Sequence, residues 1–373
     1  MRWLLKTSSL PTYPHTSPLC SQRIQGFTMS AQTTTKILLF GATGYVGGGV
    51  LARLMEHPNA QAFHITILVR DPKKAEILKK FGVHAVVVGS LKDTALVEKL
   101  ASEADVVFGI ADSDDLPAVN ATLAGLKKRH ATMGSKPIYI HTSGAGVLAD
   151  NARGMHSNAV VYDDSDADQI ETLAPTQMHR NLDLAITQAD AEGYVKTYII
   201  IPMLIWGVPK GPLVDLGVQH MHSLGIPFVV NAALQHGQAG MVGAGKNIWA
   251  IVEVNETSDL YIKLYDAIVA DATTGHGRNG FYFAAHDEQE FYGLVAAVGK
   301  ALVGLGKSAS PEPTTFTQAN LDTYFKGSAV LGANVRVRPT HALSLGWKPV
   351  RSASELLESV QPEVAALLKE KAV

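Results

Sequence analysis

The sequence predicts an α/β protein: a doubly wound parallel sheet covered by helices on both faces, with a smaller lobe built from the C-terminal part of the chain. Three observations carry this. Short apolar runs alternate with amphipathic helical patterns from Lys36 onward. A glycine-rich turn follows the first of those runs directly. Beyond Gly207 the alternation loosens.

Ile37–Phe40 is the first predicted strand, and it ends in Gly41. His64–Val69, His84–Val88, Val106–Ile110 and Ile138–His141 follow as further strands. Between them Val50, Leu51 and Leu54 line one helix face, and Leu96, Val97 and Leu100 line another. After Ser143 the polar stretch 150–168 reads as an irregular loop. Met178, Leu182, Ala185, Ile186 and Ala189 then recur at helical spacing, predicting a helix after Pro175 that packs on the sheet. Tyr198–Leu204 is a buried strand; the apolar run it belongs to is too short to span a bilayer and contains Pro202. A helix near Leu260–Val269 and a strand at Phe281–Ala284 are expected to return to the first domain. The expected organisation is an extension over 1–32, a nucleotide-binding domain over 33–207, and a remainder, 208–373, that is mainly lobe, with segments near 256–306 returning to the sheet.

The length of 373 residues suits one large α/β domain or two intimately joined ones. Hydrophobic residues make up 46% and charged residues 18%, ordinary for a globular protein. A net charge of -2 offers no basic field for nucleic acid and no polybasic membrane patch. The one cysteine, Cys20, excludes an intrachain disulfide and leaves the folded body without a thiolate metal site. The histidines form no convincing metal set either: His220 and His222, two apart, fall on different faces of a helix. The first 28 residues carry Arg2, Lys6 and Arg23 but no acid, and the first acidic residue is Glu56. That composition is similar to a mitochondrial transit segment; the alternatives are a disordered extension or translation from Met29. A cytoplasmic location is expected, with the mitochondrion as the alternative.

The strongest motif is Gly41-Ala-Thr43-Gly44-Tyr45-Val46-Gly47, directly after a strand and opening a helix. The glycines permit a tight turn and close backbone approach to a pyrophosphate, and the helix N-terminus offers free N–H groups to it. Gly48 and Gly49 extend the run. Each costs about 1 kcal/mol relative to alanine inside a helix, so close packing or a ligand should compensate. The end of the second strand selects between cofactors: an acid there would bond the ribose hydroxyls of NAD, an arginine the phosphate of NADP. Here it reads Leu68-Val69-Arg70, and Asp71-Pro72 behind it reads as a helix N-cap and first position. Lys73 and Lys74 fall in the first helical turn, where a cation is disfavoured by about 0.3–1 kcal/mol. A bound 2′-phosphate would relieve that. NADP is therefore the expected cofactor, with Arg70 and Lys74 as ligands; NAD is the alternative, and solvated lysines are the plain reading of the pair.

The spacing Gly-x-x-Gly-x-x-Gly, with Thr43 before Gly44, resembles the extended and atypical short-chain dehydrogenase/reductase superfamily, in particular its NmrA-like and nucleoside-diphosphate-sugar-epimerase-like members. The resemblance covers roughly 36–360. Its later marks are Val88-Gly-Ser90-Leu91, His141-Thr142-Ser143, Ile201-Pro202 to Trp206-Gly207, and Leu345-Gly-Trp-Lys-Pro349. It implies a Rossmann sheet, an NAD or NADP cofactor contacted by Ser90 and Pro202 as well, and turnover of alcohols, carbonyls or sugar nucleotides. Some NmrA-like relatives bind the cofactor without known turnover. Dehydrogenases of the superfamily usually carry Tyr-x-x-x-Lys on a helix, yet none of the eleven tyrosines here has a lysine four residues on. His179 and Asp183 resemble the positions of that pair and, four apart, are expected to share a helix face. Neutral histidine can exchange protons near pH 7, whereas aspartate cannot supply the lysine's charge. Thr142 or Ser143 resembles the substrate-orienting hydroxyl, with turn formation as the alternative. Asn334, Arg336 and Arg338 resemble a segment that meets an anionic substrate, with solvated arginines as the alternative.

These readings converge on NADP(H)-dependent oxidation or reduction of a small alcohol or carbonyl compound. Two alternatives stay open: a sugar-nucleotide epimerase or dehydratase, and a non-catalytic redox sensor that binds NADP(H) and regulates a partner protein. The expected partner is a small-molecule substrate, with no nucleic acid and no membrane; homodimerisation is left open.

Overall fold

The computed structural model describes residues 34–371. The expected extension over 1–32, with Cys20 and Met29, lies outside the described residues. The strands of the main sheet are β1 (Thr35–Phe40), β2 (Phe63–Val69), β3 (Ala85–Val88), β4 (Val106–Gly109), β5 (Ile138–Thr142), β6 (Lys196–Pro202) and β7 (Phe281–Ala284). They lie in the order β7-β6-β5-β4-β1-β2-β3, every neighbouring pair parallel. The chain winds outward from β1 to β3, returns to β4 on the other side of β1, and continues to the far edge. That reversal leaves a crevice beyond the C-terminal ends of β1 and β4, the usual ligand position in such sheets. Phe40 is level with Leu68 on one side and Gly109 on the other, so the loops after β1, β2 and β4 leave the sheet at one height.

Alternation along β1 builds two cores at once. Ile37 and Leu39 pack with Val50, Leu51 and Leu54 on one face; Leu38 and Phe40 pack with Val97, Leu100 and Leu126 on the other. The first face carries α1 (Tyr45–Met55), α2 (Pro72–Phe81) and, from late in the chain, a helix over Val254–Ala270. The second carries α3 (Thr94–Ser102), α4 (Leu116–Met133) and α5 (Arg180–Ala191). We number the Val254–Ala270 helix α6. A Cβ on Gly49 would run into the Ser258 side chain of α6, so the costly helical glycine is offset by close approach of two helices. Asp71 caps α2 through a 2.8 Å bond from the Lys73 amide, with Pro72 in the first turn.

Two sequence expectations are corrected. The apolar run ending at Leu204 is two strands rather than one: β6 stops at Pro202, and Leu204–Trp206 pairs with Ile248–Glu253 in a separate three-stranded sheet. Proline has no N–H to continue a ladder, which makes it a natural place for the chain to change sheets. The helix after Pro175 begins at Arg180, leaving Met178 outside the packed face and 47% exposed.

Asp287–Glu290 completes the three-stranded sheet, and helices over Gly225–His236, Phe291–Gly304 and Ala353–Lys371 pack around it. The polar stretch 150–168 contains the short strand Val161–Asp163, paired with Arg336–Arg338. Of the segments near 256–306, α6 and β7 join the main sheet, while Phe291–Gly304 packs against Ala353–Lys371. No helix among the described residues is long and apolar enough to cross a membrane.

Candidate cofactor and active site

The chain leaves β1 through Gly41 at φ +86, where a Cβ would strike the Ile110 carbonyl. The Gly44 amide donates to the Gly41 carbonyl at 2.8 Å, closing the turn. Gly47 lies so close to that carbonyl that a Cβ would collide with it. No side chain caps α1 and its first turn holds no acid, so its leading amides and dipole are uncompensated. Thr43 is half-buried and its carbonyl accepts from the His220 amide at 2.9 Å. Tyr45 and Val46 are buried on the core side. The Tyr45 hydroxyl donates to the Gly207 carbonyl at 2.5 Å, and burial, then Glu363 and Glu253, holds its pKa well above the ordinary phenol value.

Arg70 leaves the end of β2 exposed, with no hydrogen bond or ion pair to any described residue. Asp71, which follows it, is occupied with the Lys73 amide. Lys74 is half-buried and its Nζ donates to the Val218 carbonyl at 2.8 Å. Ser90 accepts the Lys92 amide at 3.2 Å in the turn after β3, and Pro202 is buried opposite Ala284.

At the end of β5 neighbouring side chains diverge. Thr142 Oγ1 is 2.6 Å from the Tyr261 hydroxyl on α6. Ser143 is buried on the opposite face, beside Asp183. His179 occupies the left-handed region at φ 65 and forms the N-cap of α5 rather than its first turn. Its side chain therefore does not share a helix face with Asp183. Instead its Nδ1 is 2.7 Å from Asp114 Oδ1, in the loop after β4, and its Nε2 lies against Gly144, in the loop after β5. Asp183 is fully buried; burial raises its pKa to about 7, against the opposing pull of Ser143 and Arg180. His141 is also buried, with Nδ1 3.1 Å from the Tyr139 hydroxyl, and burial together with His179 lowers its pKa to about 3. His141 is thus a neutral imidazole. His141 Nε2, Ser143 Oγ, Arg180 Nε and both Asp183 oxygens make no well-formed hydrogen bond.

Residues 33–123, from β1 into α4, match the NmrA-like family. Over that stretch the chain is similar to NmrA-like proteins, and its fold is that of the extended short-chain dehydrogenases/reductases. The chain is 27% identical to oxidase ucsJ of an Acremonium species over 354 residues, covering 90% of this chain and 99% of that protein. Among solved structures it shares the fold of DesIV, a dTDP-glucose 4,6-dehydratase of Streptomyces venezuelae with NAD bound: TM-score 0.60, 15% identity, 91% of this chain and 98% of that one. It shares it equally with the UDP-glucose 4-epimerase of Thermotoga maritima, at a TM-score of 0.58, 16% identity, and coverage of 90% and 99%.

Two residues that resembled substrate ligands are committed elsewhere. The Asn334 amide donates to Asp150 at 2.9 Å and to the His156 carbonyl at 3.1 Å, and its oxygen accepts the Ile248 amide at 2.8 Å. The Arg336 guanidinium forks onto Glu288, with bonds of 2.9 and 2.7 Å. Arg338 lies 3.6 Å from Asp163. Sequence reasoning missed Asp114, although the acid-rich run Asp112-Ser-Asp114-Asp115 beyond a central strand was a usable signal. It also missed His141, which reads from the sequence as one more strand residue.

Proposed function

We propose that this protein binds NADP(H) in preference to NAD(H) and exchanges hydride with a small alcohol or carbonyl substrate, His179 moving the proton. The observation that carries the reading is the His179–Asp114 pair at 2.7 Å, between the loops that follow β4 and β5. The glycine turn receives the pyrophosphate, so the nicotinamide extends along the sheet edge toward those loops. The cofactor, when bound, supplies or accepts the hydride. Arg70 meets the 2′-phosphate, with no partner among the described residues to give up first. Asp114 accepts from His179 Nδ1, which fixes the ring and leaves Nε2 as the working nitrogen. In reduction, Nε2 of the imidazolium protonates the forming alkoxide; in oxidation, neutral Nε2 takes the hydroxyl proton. Thr142, its hydroxyl held by Tyr261, orients the substrate oxygen.

The test is mass spectrometry of the co-purified ligand, followed by single-turnover NADPH oxidation across a panel of carbonyls and of UDP- and dTDP-sugars. His179→Ala should lower turnover at least about tenfold and leave cofactor affinity unchanged. Full activity in that variant removes His179 from the mechanism. A non-catalytic sensor is the second reading, favoured by the missing Tyr-x-x-x-Lys pair and by Asn334 and Arg336 being engaged within the protein. It predicts NADPH-dependent binding of a protein partner with no turnover on the panel.

A further inference from the structure

We propose that Lys74 is a cofactor-sensing latch: the 2′-phosphate of NADP(H) draws its ammonium off the Val218 carbonyl and so loosens the strap 207–222 that lies on the glycine turn. The inference rests on the NADP(H) reading above and gives it a regulatory consequence.

The strap is bonded to the cofactor turn at three points. The His220 amide donates to the Thr43 carbonyl at 2.9 Å, Gln219 Nε2 donates to the Tyr45 carbonyl at 2.8 Å, and the Tyr45 hydroxyl donates to the Gly207 carbonyl at 2.5 Å. Gln219 also fills the space that a Cβ on Gly48 would need, so that second helical glycine makes room for the strap. Behind it, the helix Ala353–Lys371 holds one end and lies close to the other. Glu363 accepts the Gly207 amide at 2.9 Å, and Glu370 lies 3.2 Å from His222 Nε2. Away from the turn, the Lys210 amide donates to Asn255 Oδ1 at 3.3 Å, and Lys74 Nζ donates to the Val218 carbonyl at 2.8 Å.

That tie differs from the others in what can compete for it. Lys74 sits in the first turn of α2, four residues after Arg70, at the edge where the 2′-phosphate arrives. Its ammonium has a neutral carbonyl as its partner and no carboxylate. A phosphate oxygen bonds an ammonium through a charge-assisted contact, roughly twice as strong as one between neutral groups. The ribose hydroxyl of NAD(H) exerts no such pull. NADP(H) therefore takes Lys74 and leaves the Val218 carbonyl without it, whereas NAD(H) leaves the latch closed. The bonds from the Gly207 amide to Glu363 and from Gln219 to the Tyr45 carbonyl keep the loosened strap attached. Because the strap runs into the helix Gly225–His236, the identity of the cofactor is passed to the lobe.

Hydrogen exchange of the full chain, read by mass spectrometry on a peptide spanning the His220 amide, tests this at saturating NADPH and at saturating NADH. The amide should exchange about tenfold faster with NADPH than with NADH, the loss expected when one bond to a charged group is withdrawn from a local opening equilibrium. Lys74→Met should exchange fast with either cofactor and lose the difference between them. Equal protection with the two cofactors in the wild type overturns the latch, as does a Lys74→Met variant that keeps the wild-type difference. Failure of the NADP(H) reading shows separately, as equal wild-type affinities for the two cofactors, and exchange at saturation still reports on the latch in that case.

Discussion

Asp183→Asn should stabilise the protein at neutral pH and leave it unchanged near pH 4. Asp183 is fully buried in the first turn of α5 with neither carboxylate oxygen well bonded, and burial raises its pKa to about 7 from an ordinary 3.8. The folded state thus holds the proton more tightly than the unfolded chain. This group's contribution is fully present below about pH 4 and is lost as pH rises through about 7. At about 1.36 kcal/mol per pH unit, the ionised form costs up to about 4 kcal/mol above neutrality. Asparagine removes the titration, and the neighbouring Arg180 gives back part of the gain by losing its carboxylate. The measurement is a pair of thermal melts at each pH from 4.5 to 8, read as variant minus wild type. The gap should open with rising pH and level off above about pH 7, reaching no more than about 8 °C at roughly 2 °C per kcal/mol for a chain of this size. Asp164, raised to about 6 by burial, follows the same trend, while His141, lowered to about 3, loses stability as pH falls. Both are present in the two proteins and cancel in the difference. Parallel curves, or a gap that opens toward acid, would refute a neutral buried Asp183.

Three other outcomes are expected. Arg70→Ala should weaken NADPH binding about ten- to a hundredfold, spare NADH, and leave the melting temperature unchanged because the side chain has no partner among the described residues; titrations of both cofactors and one melt decide it. Asp114→Asn should lower single-turnover rates by less than His179→Ala does, since Asp114 positions the imidazole rather than touching substrate; an equal loss would make the two act as one unit. Gly47→Ala should abolish cofactor binding and destabilise by about 1–3 kcal/mol, because the new Cβ meets the Gly41 carbonyl rather than a yielding side chain; near-normal NADPH affinity would show that the turn can open.

Much of the sheet was legible before any coordinates. Buried parallel strands need apolar residues on both faces, and 37–40 and 106–110 say so in consecutive residues. The glycine turn was legible for a similar reason: Gly41 and Gly47 answer to contacts within seven residues or to the level of an adjacent strand. Arg70 was readable as the residue that follows β2 at the edge of the sheet, and it is exposed there. What the sequence could not decide was where side chains point once the chain stops being periodic. His179 and Asp183 are four apart, and a regular helix would stack them, but one left-handed residue at the N-cap turns His179 to Asp114, 65 positions earlier in the chain. Neighbours Thr142 and Ser143 go to opposite faces of the sheet, one to Tyr261 and one to Asp183. Lys74 ends on a carbonyl 144 positions away. Local periodicity reports burial, which depends on near neighbours; the partners of polar groups in loops and caps depend on which distant segments the packed core brings alongside, and that is settled only when the whole sheet has assembled.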